Sequence, residues 1–308
     1  MIRTIVGSDM EVRIKSYDMR ETVQEILMLL PAILLLALFI ITPFVMSIPL
    51  SFTNEKLLPS PVPAKTIGLR NYLQILTDKE FWKALRNVFL FTIMVLPVQC
   101  GFALLIAFFL NRQKILKSPL RAIYFLPFVT PMVIVTVIWA SIYQYPTGIL
   151  NALFTAVFRS FTPINWLGET RTALTAIVFL SAWQAYGFQM VVYLAGLQDI
   201  PEELYEAASV DGASGWRKFW NVTWPGLTNT NILVITVTTI QALKLFTQVN
   251  ILTHGGPLGA TNTLVHYTYE AGFIAQKIGY ASASSILMFL LVLGVVLLQR
   301  FFLRRSED

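Results

Sequence analysis

Long apolar runs without a charged residue constrain this chain more than any other feature. Five such runs each reach or exceed the roughly 20 residues with which an α-helix crosses the hydrocarbon core of a bilayer. They are residues 26–54, 87–111, 122–158, 172–198 and 278–299. A sixth span is placed at about 226–252, where Lys244 is the only Lys, Arg, Asp or Glu, because Pro225 and the sequence "THGGP" mark its ends. The sequence therefore predicts an all-α integral membrane protein with six transmembrane helices.

Composition supports the same class, since 56% of the residues are hydrophobic and only 13% are charged. The net charge of +6 reflects the sidedness of the loops and gives no reason to expect nucleic acid as a partner. The single cysteine, Cys100, lies inside the second span. One thiol excludes an internal disulfide and a thiolate metal cluster, so we expect Cys100 to serve packing.

The first apolar run is too long for a signal peptide and lacks a small-residue cleavage site, so we expect a retained helix. An even number of spans places both termini on one side. Lys and Arg are more numerous on that side, most clearly in the short loop "NRQKILKSPLR". The positive-inside rule therefore makes both termini cytoplasmic. The expected divisions are a cytoplasmic segment 1–25, a transmembrane domain 26–303 and a cytoplasmic tail 304–308.

The cytoplasmic loop 199–225 begins with signals for a short helix. Asp199 is a candidate N-cap, Pro201 suits a first turn, and Glu202 stands three residues after the cap as in a capping box. These signals predict a helix that ends at about Ser209.

The second half of the same loop predicts a turn and a second short helix. Gly212 permits a positive φ, and Ser214 is a candidate cap for "GWRKFWNV". Trp224 and Pro225 are expected to start the fifth span. The loop should therefore form a helix–turn–helix along the membrane surface.

This loop combines carboxylates with small side chains, which suits contact with another protein. Small residues allow another surface to approach the backbone, and carboxylates attract basic groups. A connector whose acids merely face water is the competing interpretation. The candidate docking residues are Glu203, Glu206, Ala207, Ala208, Asp211, Gly212 and Ala213.

The string "EAASVDGASGWRKFWNVTWPGL" resembles the EAA loop of ATP-binding cassette (ABC) importer permeases. "GLRNYLQIL", "FLPFVTPMVIVTVIW" and "LTHGGPLGATNTLVHYTYEAGF" are similar to the sugar-permease branch related to the maltose and glycerol-phosphate systems. Val222 and Trp224 replace the isoleucine and leucine common in the loop, and His254 stands where the branch often has glycine. The sequence "GLRNYLQIL" also predicts a short outer helix between the first two spans.

The resemblance implies the fold of a type I ABC importer permease in a bacterial plasma (inner) membrane. It implies that the first loop helix docks into a cytoplasmic ATPase and transmits its closure to the membrane helices. The implied partners are a second permease in a heterodimer, two ATPase subunits that use ATP and Mg²⁺, and an extracytoplasmic substrate-binding protein. This chain contains no G-x-x-x-x-G-K-[ST] sequence and no nucleophile or metal-ligand constellation, so we expect neither an enzyme nor a bound cofactor or metal.

Polar residues in the fourth and fifth spans predict where a substrate passes. They recur at nearly helical spacing and combine aromatic faces with amides, which suits a neutral saccharide. Hydrogen bonding between helices is the competing explanation. The candidate pathway residues are Trp183, Gln184, Tyr186, Gln189, Thr238, Gln241, Lys244, Gln248 and Asn250.

Lys244 is the only charged residue within a predicted span, so it needs a partner or access to water. Two interpretations stand: a pair with a carboxylate of the sister subunit, which we favour, and attraction of an anionic substrate such as a uronate or sugar phosphate. A stand-alone secondary transporter with an ion-coupled site at Lys244 is the alternative function. It predicts repeats with broken helices, which the sequence does not reveal, and it leaves the docking loop without a purpose. A non-transporting scaffold is a third alternative, and it leaves the polar stripe unused.

Overall fold

The computed structural model describes residues 19–59, 63–113, 117–158 and 160–304 of the 308. Most of the predicted cytoplasmic segment 1–25 and of the tail 304–308 lies outside the described residues. The described helices are α1 (Met19–Leu36), α2 (Thr42–Leu50), α3 (Arg70–Thr77), α4 (Lys79–Arg112), α5 (Lys117–Val129), α6 (Met132–Ile142), α7 (Ile149–Val157), α8 (Ala173–Asp199), α9 (Glu202–Val210), α10 (Gly215–Lys218), α11 (Trp224–Gly226), α12 (Thr228–Leu243), α13 (Thr247–Leu252), α14 (Leu264–Tyr269) and α15 (Ile278–Arg304).

Five helical segments of the described chain are long and apolar enough to cross a membrane. They are Leu27–Leu50, Lys79–Arg112, Ala173–Asp199, Thr228–Leu252 and Ile278–Phe302. The pair α5 and α6 becomes a sixth span if its two bent halves are counted together. The predicted all-α class is confirmed, and the described residues contain five apolar spans, or six with the bent pair.

The third apolar run, 122–158, does not form the single straight helix that its length suggests. Ser118–Val129 and Met132–Ile142 meet at an angle of 90°. Pro131 causes the break, because it lacks an N–H donor and disfavours a helical conformation at the preceding Thr130. The rest of the run forms the separate helix α7, so this third region is a bent element.

The fifth span is also interrupted, which the sequence did not reveal. α12 ends at Leu243, and α13 begins at Thr247 after an irregular backbone segment. Thr263 donates a hydrogen bond of 2.7 Å from Oγ1 to the carbonyl of Leu245 inside this interruption. A side chain from outside the span therefore satisfies a backbone group that a continuous helix would have paired itself.

The described chain divides into two compact units at Pro49. In the first unit, α1 passes through a π-helical turn at Ala37–Ile41 into α2. In the second unit, α4 packs along α8, and most of α8 is buried. Gly187 allows α5 to approach closely, since a Cβ there would lie 2.9 Å from the carbonyl oxygen of Tyr124. Small residues at helix contacts are the usual means of tight packing within membranes.

The segment after the fifth span folds back over the start of α4. Asn87 of α4 donates from Nδ2 to the carbonyls of Gly259 and Asn262, at 2.8 and 2.9 Å. Tyr267 of α14 donates a 2.6 Å hydrogen bond to Asp78, which caps α4. These contacts fix the end of the interrupted span against α4. The predicted short outer helix is present as α3.

Candidate functional site

A cavity of about 280 Å³ lies beside the interruption of the fifth span. Its wall is contributed by α4, α5, α6, α8, α12, α13 and the segment that joins α12 to α13. The lining residues are Phe91, Val95, Gln99, Phe128, Met132, Ser181, Gln184, Ala185, Thr238, Gln241, Ala242, Lys244, Leu245, Phe246, Thr247 and Gln248. The wall thus joins apolar and aromatic surface to a limited set of amide, hydroxyl and ammonium groups, a composition suited to a polar organic ligand.

The structure brings five of the nine predicted pathway residues to this cavity. They are Gln184, Thr238, Gln241, Lys244 and Gln248. Trp183, Tyr186, Gln189 and Asn250 are not part of the lining. The predicted set thus divides into residues of the cavity wall and residues that lie elsewhere.

Two of these four residues make aromatic contacts away from the cavity. Trp183 is 41% exposed, and its ring centroid lies 5.6 Å from that of Trp139. Tyr186 is buried, with its ring edge-to-face against Phe102 at 4.8 Å. Both rings are therefore engaged by neighbouring helices. Asn250 in α13, which also lies outside the lining, is partly buried.

Gln189 lies behind the wall and supports one of its members. Its side chain is fully buried, and Nε2 donates a 3.1 Å hydrogen bond to Oγ1 of Thr238. Cys100 contacts the same hydroxyl from α4, at 3.7 Å from Sγ. Gln189 and Cys100 thereby fix the position of the Thr238 hydroxyl at the cavity.

Two further glutamines of the wall are held by hydrogen bonds between helices. Gln248 of α13 donates from Nε2 to Oγ of Ser181 on α8, at 3.2 Å. Gln184 donates to the carbonyls of Phe128 and Thr130, at 3.3 and 3.5 Å, beside the bend between α5 and α6. The amide NH₂ groups of Gln184 and Gln248 therefore join α8 to its neighbours.

Lys244 lies directly after α12 and is exposed at the cavity. No aspartate or glutamate is among the described residues that line the cavity. The ion pairs found within the described chain also do not include Lys244. Its ammonium group therefore reaches open space at the interruption of the helix.

Gln99 is a cavity residue that the sequence analysis missed. It is 3% exposed, and its Nε2 has no hydrogen-bond partner in the described part of the chain. The signal was a lone amide in the apolar run "VLPVQCG" of the second span. Only the fold shows that Gln99 lines the same cavity as Thr238 and Lys244.

The loop 199–225 forms the expected helix–turn–helix, with one error in the predicted cap. α9 covers Glu202–Val210, close to the predicted end at Ser209. Asp199 is the last residue of α8, and Pro201 occupies the N-cap position without a side-chain hydrogen bond. The prediction of Asp199 as cap was wrong because α8 continues to Asp199, and only Ile200, before the proline, becomes extended.

Gly212 terminates α9 in a Schellman motif. Its φ is +72°, and its N–H donates to the carbonyl of Ser209 at 3.1 Å. Ala213 donates to the carbonyl of Ala208 at 2.9 Å, which completes the pair of hydrogen bonds. Ser214 then caps α10 by accepting from the backbone N–H of Arg217. The turn and the second cap are as predicted.

The loop presents an exposed outer face and is anchored on its inner side. Tyr205 and Thr223 share a 3.0 Å hydrogen bond between their hydroxyls, which ties α9 to the π-helical segment after α10. Val210 at the end of α9 is 88% exposed. The exposed docking candidates are Glu203, Glu206, Ala207, Asp211 and Gly212, whereas Ala208 and Ala213 are partly buried.

The two histidines, His254 and His266, lie in different environments after the fifth span. His266 is buried, with Nδ1 3.0 Å from Oδ1 of Asn262. Burial lowers the pKa of His266 below its ordinary value, which the nearby Glu270 partly opposes. His254 has a φ of +46°, a conformation that glycine adopts without strain. Across the described residues, no group of three His, Cys, Asp or Glu side chains is placed to hold a metal ion.

Comparison with known proteins gives consistent matches. Residues 99–308 match the family described as the inner membrane component of binding-protein-dependent transport systems. The trehalose/maltose transport system permease protein MalF of Thermococcus litoralis is 35% identical over 276 residues, which cover 89% of this chain and 92% of that protein. The probable ABC transporter permease protein PH1215 of Pyrococcus horikoshii is 33% identical over 284 residues, with 92% and 96% covered.

A solved structure shares the fold. A chain of a bacterial alginate ABC transporter, crystallised in complex with an alginate pentasaccharide-bound periplasmic protein, superposes with a TM-score of 0.81. The alignment covers 94% of this chain and 97% of that chain at 21% sequence identity.

Proposed function

The chain belongs to the family of inner membrane components of binding-protein-dependent transport systems, and from that premise we propose how it works. It is a permease subunit of an ABC importer and supplies half of the pathway for a sugar or oligosaccharide. Saccharides are proposed because a relative of this chain is named as a trehalose/maltose permease, and because the cavity combines aromatic surface with amides and hydroxyls.

The observation that carries this proposal is the polar cavity at the interruption of the fifth span. Irregular backbone within a membrane is tolerated where it lines a cavity or is buried in protein. Here it brings Gln241, Lys244 and Gln248 to the same space as Gln184 of α8. The exposed side chains of Gln241 and Lys244 are free to contact a solute, whereas the bonded Gln184 and Gln248 hold the wall in place.

The cytoplasmic loop is proposed to dock into a partner ATPase. α9 offers the carboxylates of Glu203 and Glu206, and its end offers the exposed methyl groups of Val210. The Schellman turn at Gly212 fixes the angle between α9 and α10, and the Tyr205–Thr223 bond passes a displacement of α9 towards α12. ATP and Mg²⁺ belong to the ATPase, since this sequence has no phosphate-binding loop.

The proposed assembly contains a second permease, two ATPase subunits and an extracytoplasmic binding protein. The second permease faces the cavity and closes the pathway. Uptake of a labelled saccharide panel, containing trehalose, maltose and maltotriose, tests the proposal in a strain that lacks this chain and in the same strain complemented with it. We expect uptake of at least one saccharide only on complementation, and we expect truncation of Gln241 to alanine to reduce it strongly. Loss of the chain without any change in saccharide uptake would refute the proposal.

A further inference from the structure

One buried side chain of the cavity lacks a partner. Phe91, Val95 and Gln99 follow one another at intervals of four residues, so they share the face of α4 that lines the cavity. Gln99 is 97% removed from solvent, yet its Nε2 donates no hydrogen bond within the described chain. An amide donor left unsatisfied in a buried position is destabilising, and such groups are rare in folded proteins.

The other buried glutamines near the cavity show that Gln99 is different. Gln184, Gln189 and Gln248 each donate from Nε2 to an acceptor on a neighbouring element. Their amides therefore serve helix packing. Gln99 lines the same cavity, and its buried Nε2 has no such bond, so this donor is left for a molecule that enters the cavity.

We propose that Gln99 is a specificity-determining residue whose Nε2 donates a hydrogen bond to an oxygen of the saccharide in transit. The inference deepens the proposed function and depends on it. A saccharide with a hydroxyl or ring oxygen at this point satisfies the buried donor. An analogue without that oxygen leaves the donor unpaired, so Gln99 discriminates between the two. α4 thereby joins α8 and α12 as a helix that recognises the cargo, although none of the predicted pathway residues lies in α4.

The test uses the complete transporter and replaces Gln99 by leucine, which has a similar volume and no donor. Because Gln99→Leu removes an unpaired polar group, the purified complex should unfold at the same temperature as the wild type or higher. The saccharide of the panel that the wild-type complex transports best serves as the probe. We expect its KM to rise about 3- to 10-fold, the loss of one neutral hydrogen bond, with a smaller change in kcat.

Monodeoxy analogues of that saccharide then locate the bond. The wild type should discriminate against one analogue, and Gln99→Leu should transport this analogue and the parent saccharide equally well. The effects on transport of removing the donor and of removing the acceptor should therefore not be additive. A structural role for Gln99 does not produce this pattern.

Gln299 provides a matched control on α15. It is also a glutamine with a buried unpaired atom, Oε1, but its Nε2 donates a 2.8 Å bond to Thr239, and it does not line the cavity. Gln299→Leu should lower the unfolding temperature and leave KM unchanged. If Gln99→Leu behaves like this control, or keeps the wild-type discrimination, the inference is wrong while the proposed function stands. A wild-type complex that transports no saccharide overturns both.

Discussion

Substitution of Gly212 should uncouple the proposed docking loop 199–225 by altering backbone conformation alone. A Cβ at Gly212 would meet no heavy atom within 4 Å, so an added side chain causes strain and not collision. The φ of +72° costs an alanine about 1 kcal/mol, which is about a fivefold shift towards the opened turn. A β-branched valine should cost about 2 kcal/mol, or about 30-fold. Asparagine tolerates this region and should change the equilibrium by about twofold or less.

Hydrogen exchange measures this series directly. The amides of Gly212 and Ala213 are the two donors of the Schellman motif, so their exchange should accelerate in the order asparagine, alanine, valine. Saccharide uptake should fall in the same order while membrane insertion is unchanged. Gly215→Ala is the matched control, because Gly215 also has open space around it but no positive φ. Uptake at the wild-type rate in a Gly212→Val strain would refute the role of this turn.

Three further outcomes are expected. Burial lowers the pKa of His266, so the unfolded chain binds more protons than the folded chain below about pH 6.5. The unfolding temperature of the complex should therefore fall as the pH drops through that value and level off below the folded-state pKa. The His266→Gln variant should lose this pH dependence. His254→Gly should relieve the positive φ and keep or raise the unfolding temperature, and a clear decrease would show that the histidine ring is needed. Lys244→Met should selectively reduce the uptake of an anionic cargo if the ammonium group contacts that cargo. It should impair assembly if the ammonium group pairs with a carboxylate of the second permease. Normal assembly and normal uptake of every cargo would contradict both interpretations.

The lengths of the apolar runs and the local turn chemistry predicted much of the fold. About 20 apolar residues are needed to cross a bilayer whatever their neighbours are, so the spans could be identified from the sequence. Gly212 and Ser214 were identified correctly because a positive φ and an N-cap depend on a few adjacent residues. The cap at Asp199 failed because the length of α8 decides where the loop begins.

Features that depend on distant contacts were not predictable. The interruption of the fifth span involves a hydrogen bond from Thr263 to Leu245, and residues 18 apart in sequence give no periodic signal of such a contact. Helical spacing placed Tyr186 and Gln189 on one face with cavity residues, but α8 is packed on most of its surface, so spacing alone cannot select the cavity face. Gln99 was missed because it is a lone amide in the apolar run of the second span, and a single polar residue has no periodicity.

The interrupted helices also change one argument against a secondary transporter. The apparent lack of broken helices had opposed that alternative, yet the α5–α6 bend and the α12–α13 interruption are both present. The match to the binding-protein-dependent family now distinguishes an ABC importer permease from a secondary transporter. The energy source of transport therefore separates the two functions better than the shape of the helices does.

Reconstitution into proteoliposomes shows whether the chain transports a saccharide only as part of the ATP-driven assembly. The chain should be compared alone and together with its second permease, ATPase subunits and loaded binding protein, with labelled saccharide uptake as the readout. We predict uptake only by the full assembly and only with ATP and Mg²⁺, because this chain has no phosphate-binding loop and supplies half of the pathway. Saccharide uptake by the chain alone, driven by a proton or sodium gradient, would instead make the chain a secondary transporter.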